Sequence, residues 1–183
     1  MKQIAIISPS VRDERVGHRV ALYLKKYFEE NSIAKVDLLD LKEFDFPLFN
    51  ERLMYQKNPS EKLLDFSERV NKADGIIIVS SVYNYSFPAS LKNAIDVLYP
   101  EWNRKVVALS SATMGIVEGL PTTFQLENIL SQMKAIVSPV KFFAINIANE
   151  YTEEGDAVNK EKTDNKLKPM VDEFMFLVDK FSN

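Results

Sequence analysis

Ser80-Ser81-Val82-Tyr83-Asn84-Tyr85-Ser86-Phe87-Pro88-Ala89-Ser90-Leu91-Lys92-Asn93-Ala94-Ile95-Asp96 is the stretch on which the reading of this chain turns. It begins where the apolar run Gly75-Ile76-Ile77-Ile78-Val79 stops. It ends inside a helix that Pro88 is placed to start, because proline suits a first helical position. Leu91, Ala94, Ile95 and Leu98 repeat at helical spacing and turn one face of that helix inward. The connection between strand and helix holds two tyrosines, an asparagine and a serine, where a simple reversal would use glycine or aspartate. Aromatic rings and an amide at the carboxyl end of a buried strand suit a flat, polar-edged ligand. The plainer alternative is a loop whose tyrosines cap the core.

Working outward, strands and helices alternate. Gln3-Ile4-Ala5-Ile6-Ile7 is a continuous apolar run, as expected of a parallel strand covered on both faces. A helix follows, with Val20, Ala21, Leu24, Tyr27 and Phe28 on one stripe. Val36 to Leu41 is a more polar strand and hence an expected edge. The aromatic segment Phe44 to Glu51 fits neither regular period; it either contacts a second subunit or folds onto its own core. Pro59 and Ser60 open a helix to about Lys72, with Leu63, Leu64, Phe66 and Val70 available for burial. Beyond the opening stretch, Pro100 closes its helix and Lys105 to Leu109 forms a fourth strand. Pro121 introduces a helix through about Met133, with Phe124, Leu126, Ile129 and Leu130 apolar. Ile136 to Ile147 holds a fifth strand, which Pro139 assigns to an edge. Tyr151 to Asn165 is polar and reads as a mobile connection, and Leu167, Val171, Phe174, Leu177, Val178 and Phe181 mark a closing amphipathic helix.

Five strands alternating with helices predict an α/β fold around a parallel sheet. Right-handed crossovers and an edge-like second strand favour the order 2-1-3-4-5. With 183 residues and no linker or repeat, residues 1–183 read as a single domain.

Composition narrows the function. The net charge of −3 offers no general attraction to nucleic acid or to an anionic membrane. No apolar run approaches the ~20 residues of a membrane span, and the chain opens into a strand without a signal-peptide pattern, so a cytoplasmic location is expected. The absence of cysteine excludes disulfides, thiolate metal sites and cysteine nucleophiles. His18 is the one histidine, so a multi-histidine metal site is excluded as well. The five glycines form neither a dinucleotide fingerprint nor a Walker loop. A chain so short of catalytic side chains points to a bound cofactor for its chemistry.

In a parallel sheet the loops after the first, third and fourth strands emerge together, where the strand order reverses. In the first loop, Ser10 offers a hydroxyl, Arg12 and Arg15 offer guanidinium forks, and the helix beginning near Val16 and Gly17 presents unpaired N–H groups: a set suited to a phosphate. The alternative pairs both arginines with Asp13 and Glu14 at the surface. Val82, Tyr83, Asn84 and Tyr85 of the second loop suit a planar heterocycle. Ser111, Ala112, Thr113, Met114 and Gly115 of the third are small enough to run beneath the opposite end of the same ring. Phosphate at one end and a conjugated ring at the other describe FMN.

Ser10-Val11-Arg12-x-x-Arg15-Val16-Gly17 resembles the phosphate loop G-S-x-R-x-x-S-x-N of the NAD(P)H-dependent FMN reductase family. Val82-Tyr83-Asn84-Tyr85-Ser86-Phe87-Pro88 continuing to Asp96 is similar to that family's P-E-Y-N-G-S-x-P-x-x-L-K-N-A-I-D. Phe46 to Glu51 resembles its L-P-L-Y-x-x-D segment, which lies near the family's subunit interface. The resemblance covers roughly residues 3 to 147, and the final helix fits the family as well. The departures are Ser8 and Pro9 where the family has a small residue and glycine, Arg15 for the motif serine, Gly17 for the asparagine, Val82 for the glutamate and Tyr85 for the glycine after Tyr-Asn.

The resemblance implies a flavodoxin-like three-layer sandwich, FMN as cofactor and NAD(P)H as co-substrate. It implies hydride transfer to the flavin and onward delivery to a small-molecule acceptor such as a quinone, azo compound, metal ion or free flavin. Homodimers or homotetramers are expected, with no nucleic-acid or membrane partner. No side chain is required as a catalytic acid or base. Backbone N–H groups around Tyr83 to Ser86 and Ser111 to Gly115 are the candidates to face the flavin N1–O2 edge. Two alternatives remain open: a flavodoxin-type electron carrier without nicotinamide turnover, and a binding protein of this fold without flavin.

Overall fold

In the computed structural model, described over residues 1–182, the parallel sheet has the expected order. Strand β1 spans Gln3–Ser8, β2 Lys35–Asp40, β3 Gly75–Ser81 and β4 Val106–Ala112. Their order is β2-β1-β3-β4-β5, with every pairing parallel. The fifth position departs from the single strand expected over residues 136–147. Two short pieces, β5 (Ile136–Val137) and β6 (Phe142–Ala144), both pair with β4, the first along Val106–Val107 and the second along Ser110–Ala112. Pro139 lies in the gap between them: it has no N–H for the ladder, so pairing lapses there and resumes further on.

The sheet divides the core by side-chain alternation. Ile4, Ile6, Ile77, Val79, Val106 and Ala108 face helices α1 (Gly17–Glu30) and α7 (Lys160–Phe181). Ala5, Ile7, Ile76, Ile78, Val107 and Leu109 face α3 (Glu61–Lys72), α4 (Ala89–Val97) and α5 (Leu120–Gln132). Burial on both faces is why these strands read as unbroken apolar runs. Each buried isoleucine contributes about 1.5–3 kcal/mol.

The helix boundaries refine several expectations. Pro88 is the residue before α4 rather than its first, and α4 ends at Val97, three residues before Pro100, which opens a short 3-10 turn. Ser60 caps α3 by accepting from the Leu63 N–H. Leu64 and Phe124 lie on the solvent side of their helices, against expectation, while Leu63, Phe66, Val70, Leu126 and Leu130 are buried. The aromatic segment divides its duties. Phe44, closing the one-turn helix α2 (Leu41–Phe44), stacks on Phe46, and both meet Phe66 edge-on. Leu48 and Phe49 stay exposed, and Asn93 of α4 pins the loop by donating to Pro47 O at 2.6 Å and accepting from the Phe49 N–H.

The polar connection after β6 is fastened to the fold, contrary to the mobile segment expected. It starts with the one-turn helix α6 (Ile147–Glu150). Tyr151 is buried and bridges to Ala157. Arg19 of α1 donates to Tyr151 O at 3.1 Å. Gly155, at φ +82°, lies so close to α1 that a Cβ there would meet Leu22 Cβ at 2.4 Å. Among the described residues no helix is long and apolar enough to cross a membrane.

Candidate FMN site

The register Ser80↔Ser111 and Ser81↔Ala112 sets the carboxyl ends of β3 and β4 side by side, and α1 begins against them. Gly17 explains how closely: a Cβ on it would meet Ser81 Oγ at 2.2 Å and Ala112 Cβ at 3.6 Å. A bulkier residue at the head of α1 would push the helix off the strand ends. The resulting cleft has a volume of about 790 Å³ and is lined from the first loop by Ser10, Arg12, Arg15, Val16 and Gly17. Val82, Tyr83, Ala112 and Met114 line its other wall. That volume lies within the range of about 300–1,000 Å³ usual for small-molecule sites.

The loop after β1 carries no glycine, and side chains hold its shape. Ser8 Oγ lies 2.9 Å from His18 Nδ1, and the Ser90 hydroxyl donates to Pro9 O. Ser10 Oγ lies 2.6 Å from the Tyr83 hydroxyl, so one of the two O–H groups donates to the other. Arg12 is exposed, has no carboxylate partner among the described residues, and stands 5.8 Å from the centre of the Tyr83 ring. Arg15 lines the cleft with its fork engaged: both terminal nitrogens donate to the Asp40 carboxylate, and Nη1 also donates to Ser10 O at 2.8 Å. The surface pairing of both arginines with Asp13 and Glu14 does not form; Asp13 instead accepts from Lys42 at 3.0 Å.

Two shifted titrations accompany this cluster. Burial raises the Asp40 carboxyl, but the Arg15 fork, the Lys42 N–H and the charges of Arg15 and His18 outweigh it and hold it below 3.8. Burial and the Arg15 charge push His18 below 6.5, against the opposing pull of Asp40 and Glu43. Burial and the Arg15 charge both favour the neutral imidazole.

The loop after β3 is a two-residue hairpin. Tyr83 N–H donates to Ser86 O at 2.8 Å and Ser86 N–H donates back to Tyr83 O at 3.0 Å. Asn84 and Tyr85, at φ 50° and 63°, both lie in the left-handed region, the pattern of a type I′ turn. Asparagine tolerates this conformation and tyrosine does not, which gives the family's glycine after Tyr-Asn its reason. Gln125 of α5 braces the turn, donating to Tyr85 O at 3.1 Å and accepting from the Ser86 hydroxyl at 2.7 Å. The Tyr85 ring is 70% exposed and does not line the cleft.

The expected backbone donors separate into engaged and open groups. Val82 N–H reaches Ala112 O and Thr113 N–H reaches Ala144 O, while Tyr83 and Ser86 are occupied by the hairpin. The N–H groups of Asn84, Tyr85, Met114 and Gly115 have no backbone acceptor among the described residues, and of these four residues Met114 alone lines the cleft. Ser111 and Thr113 are structural: Ser111 Oγ accepts from Gly119 N–H at 3.2 Å, and the Thr113 hydroxyl donates to Gly115 O or Val117 O. Neither lines the cleft.

Sequence reasoning did not assign Asp13, Glu14, His18, Arg19, Ser81 and Glu153 to the cleft they line, nor Asp40 to the cluster beneath it. Asp40 ends the edge strand, and its partnership with Arg15 joins residues 25 positions apart. Arg19 and Glu153 both line the cleft and pair with each other at 3.4 Å across its rim. No local pattern marks any of these. The donors present fit a phosphate: one unpaired guanidinium, the Ser10–Tyr83 hydroxyl pair and the head of α1.

Comparisons with known proteins place the chain in a family. The sequence pattern described as NADPH-dependent FMN reductase matches residues 2–150. An NAD(P)H-dependent FMN reductase from Saccharomyces cerevisiae is 32% identical over 145 residues, covering 72% of this chain and 75% of its own length. A quinone reductase from Escherichia coli is 33% identical over 97 residues, 51% of this chain and 52% of that protein. In three dimensions, FerB, a flavoenzyme NAD(P)H:(acceptor) oxidoreductase from Paracoccus denitrificans, superimposes with a TM-score of 0.82 at 23% identity, covering 100% of both chains. With most of its length matched and these residues gathered at the carboxyl ends of β1, β3 and β4, the chain belongs to the NADPH-dependent FMN reductase family, an oxidoreductase family on a flavodoxin-like fold.

Proposed function

We propose that this protein holds FMN in the cleft between the loops after β1, β3 and β4 and passes electrons from NAD(P)H to a small acceptor of the quinone class. The observation that carries the reading is the junction of Ser10, Arg12 and Tyr83, which sets an unpaired cation and two hydroxyls at the phosphate end of a cleft of about 790 Å³. Bound FMN supplies the two-electron chemistry. This chain's residues bind and orient: Arg12 and the Ser10–Tyr83 pair take the phosphate, and the Met114 N–H, on the cleft wall, is the candidate donor to the polar edge of the ring. No side chain is assigned a proton transfer. The quinone reductase and FMN reductase relatives support the choice of acceptor class.

The expected homodimer or homotetramer has its support on the same side. Tyr85, Met114, Ile116, Val117 and Phe124 form exposed apolar residues beyond the hairpin and the β4 loop, with Ile116 82% exposed. A second copy of this chain is the proposed cover, and sedimentation tests it. A cytoplasmic location and a single unit over residues 1–183 complete the reading.

The deciding experiment mixes the purified protein with FMN, removes free flavin, and follows NAD(P)H absorbance with a simple quinone present. Retained yellow colour and quinone-dependent NAD(P)H loss are expected. Colour without NAD(P)H loss would mark a flavodoxin-type carrier, and no retained colour would mark a protein that lacks the flavin.

A further inference from the structure

Two arginines face the proposed phosphate end, and they are not equivalent. Arg12 is exposed and, among the described residues, pairs with no carboxylate. Arg15, whose side chain is 14% exposed, meets an Asp40 side chain that is 6% exposed. Asp40 is also the residue before α2, accepting from the Lys42 N–H at 3.0 Å, and lies 3.8 Å from His18 Nδ1. The Asp40 carboxylate and the Ser10 carbonyl take three of the five N–H donors of Arg15. Turning the fork over to a phosphate would strip a buried carboxylate of its cation, which is among the costlier changes a fold can suffer.

The geometry points to Arg15 as a positioning residue: with Asp40 it latches the loop after β1 in its binding shape, and it does not itself hold the phosphate. The inference rests on the FMN reading above. One guanidinium fixes two things, the end of β2 through Asp40 and the Ser10 carbonyl through Nη1. The Ser10 carbonyl belongs to the residue whose hydroxyl meets Tyr83. In a loop without glycine, this latch orients the hydroxyl pair and leaves Arg12 as the phosphate's cation. The arginine that stands where the family motif has serine is thereby accounted for by a partner on the edge strand.

Two affinities measured on flavin-free protein test this, those for FMN and for riboflavin, which lacks the phosphate, by quenching of flavin fluorescence. The variants are Arg15→Ala, Asp40→Asn and the double substitution. Asparagine caps helices as well as aspartate, so Asp40→Asn removes the ion pair and keeps the cap. Each single change is expected to weaken FMN binding about tenfold, the scale of a lost charge-assisted contact. The double variant should be no weaker than the singles within about twofold. Riboflavin affinity should hold within the same margin. A direct phosphate contact by Arg15 predicts the opposite sign for Asp40→Asn, tighter FMN binding by the released guanidinium, and that result overturns the latch. Additive losses, or riboflavin weakened as much as FMN, overturn it too. If Arg15→Ala does not fold, the sign of the Asp40→Asn effect decides alone. A wild-type protein that binds no FMN overturns the functional reading, and the latch's role with it.

Discussion

The hydroxyls of Ser10 and Tyr83 lie 2.6 Å apart, joining residues separated by 73 positions and two loops from different strands. Ser10→Ala removes one of them without touching the sheet. FMN affinity is expected to fall about five- to tenfold, the scale of one hydrogen bond to a charged group, with riboflavin affinity unchanged. Titration of flavin-free protein by fluorescence measures both, and equal losses for the two flavins would remove the phosphate from the account.

Arg12 carries the larger share. Among the described residues no carboxylate neutralises it, and it stands 5.8 Å from the centre of the Tyr83 ring. Arg12→Ala should weaken FMN by about a hundredfold, with Arg12→Lys recovering part of the loss because the charge survives without the fork. The wild-type affinity should also fall with added salt, more steeply than that of Arg12→Ala. Parallel salt dependences in the two proteins would show that another group faces the phosphate.

Gly17 holds α1 against the strand ends through the space a side chain would occupy. Gly17→Ala should destabilise the fold by about 1–3 kcal/mol as the new methyl meets Ser81 Oγ. The Ser81→Ala background should restore part of that loss, because it removes the atom at 2.2 Å. Thermal melting of the two single variants and the double reports the coupling, and strictly additive losses would contradict the contact.

Tyr85 carries a backbone cost. A tyrosine at φ 63° loses roughly 1 kcal/mol that a glycine would not. Tyr85→Gly should raise the melting temperature by about 2–4 °C for each kcal/mol relieved, less the greater freedom glycine brings to the unfolded chain. Tyr85→Ala should not reproduce the gain. A lowered melting temperature in Tyr85→Gly would show that the exposed ring contributes more than its backbone costs.

Stability should depend on pH in two windows. The folded His18 pKa lies below 6.5, so as pH falls the unfolded chain binds the proton first. The stability present above 6.5 is therefore lost progressively as pH drops below that value. The Asp40 carboxyl, held below 3.8, adds stability that is lost in a lower window beneath that value. The melting temperature should fall between about pH 7.5 and about pH 5.5, and His18→Gln should flatten that decline. An equally steep decline in the variant would place the titration elsewhere.

Much of this architecture was legible because burial on both faces leaves an unambiguous mark. Ile4 to Ile7 and Ile76 to Val79 have no polar alternation, and the charged β2 declared itself an edge, so the order followed from chirality alone. Tyr83, Asn84 and the Leu91 to Asp96 helix were readable because turn chemistry and helical period are local. What escaped was long-range. Pro139 announced an edge but not that the strand would lapse and resume. The segment from Tyr151 to Asn165 looked loose because its anchors, Arg19 and the α1 backbone at Gly155, lie over a hundred residues away, and because the polar first turns of α7 from Lys160 carry little apolar signal. Arg15 carried the motif position of a phosphate ligand, while its partner Asp40 belonged to a strand that sequence alone could not bring beside it.

The most direct test of FMN-mediated electron transfer is an anaerobic half-reaction on the FMN-loaded protein. Addition of NADPH should bleach the oxidised flavin absorbance, and a quinone added afterwards should restore it. A flavin band that persists under NADPH, on protein that retains its FMN, would contradict the account.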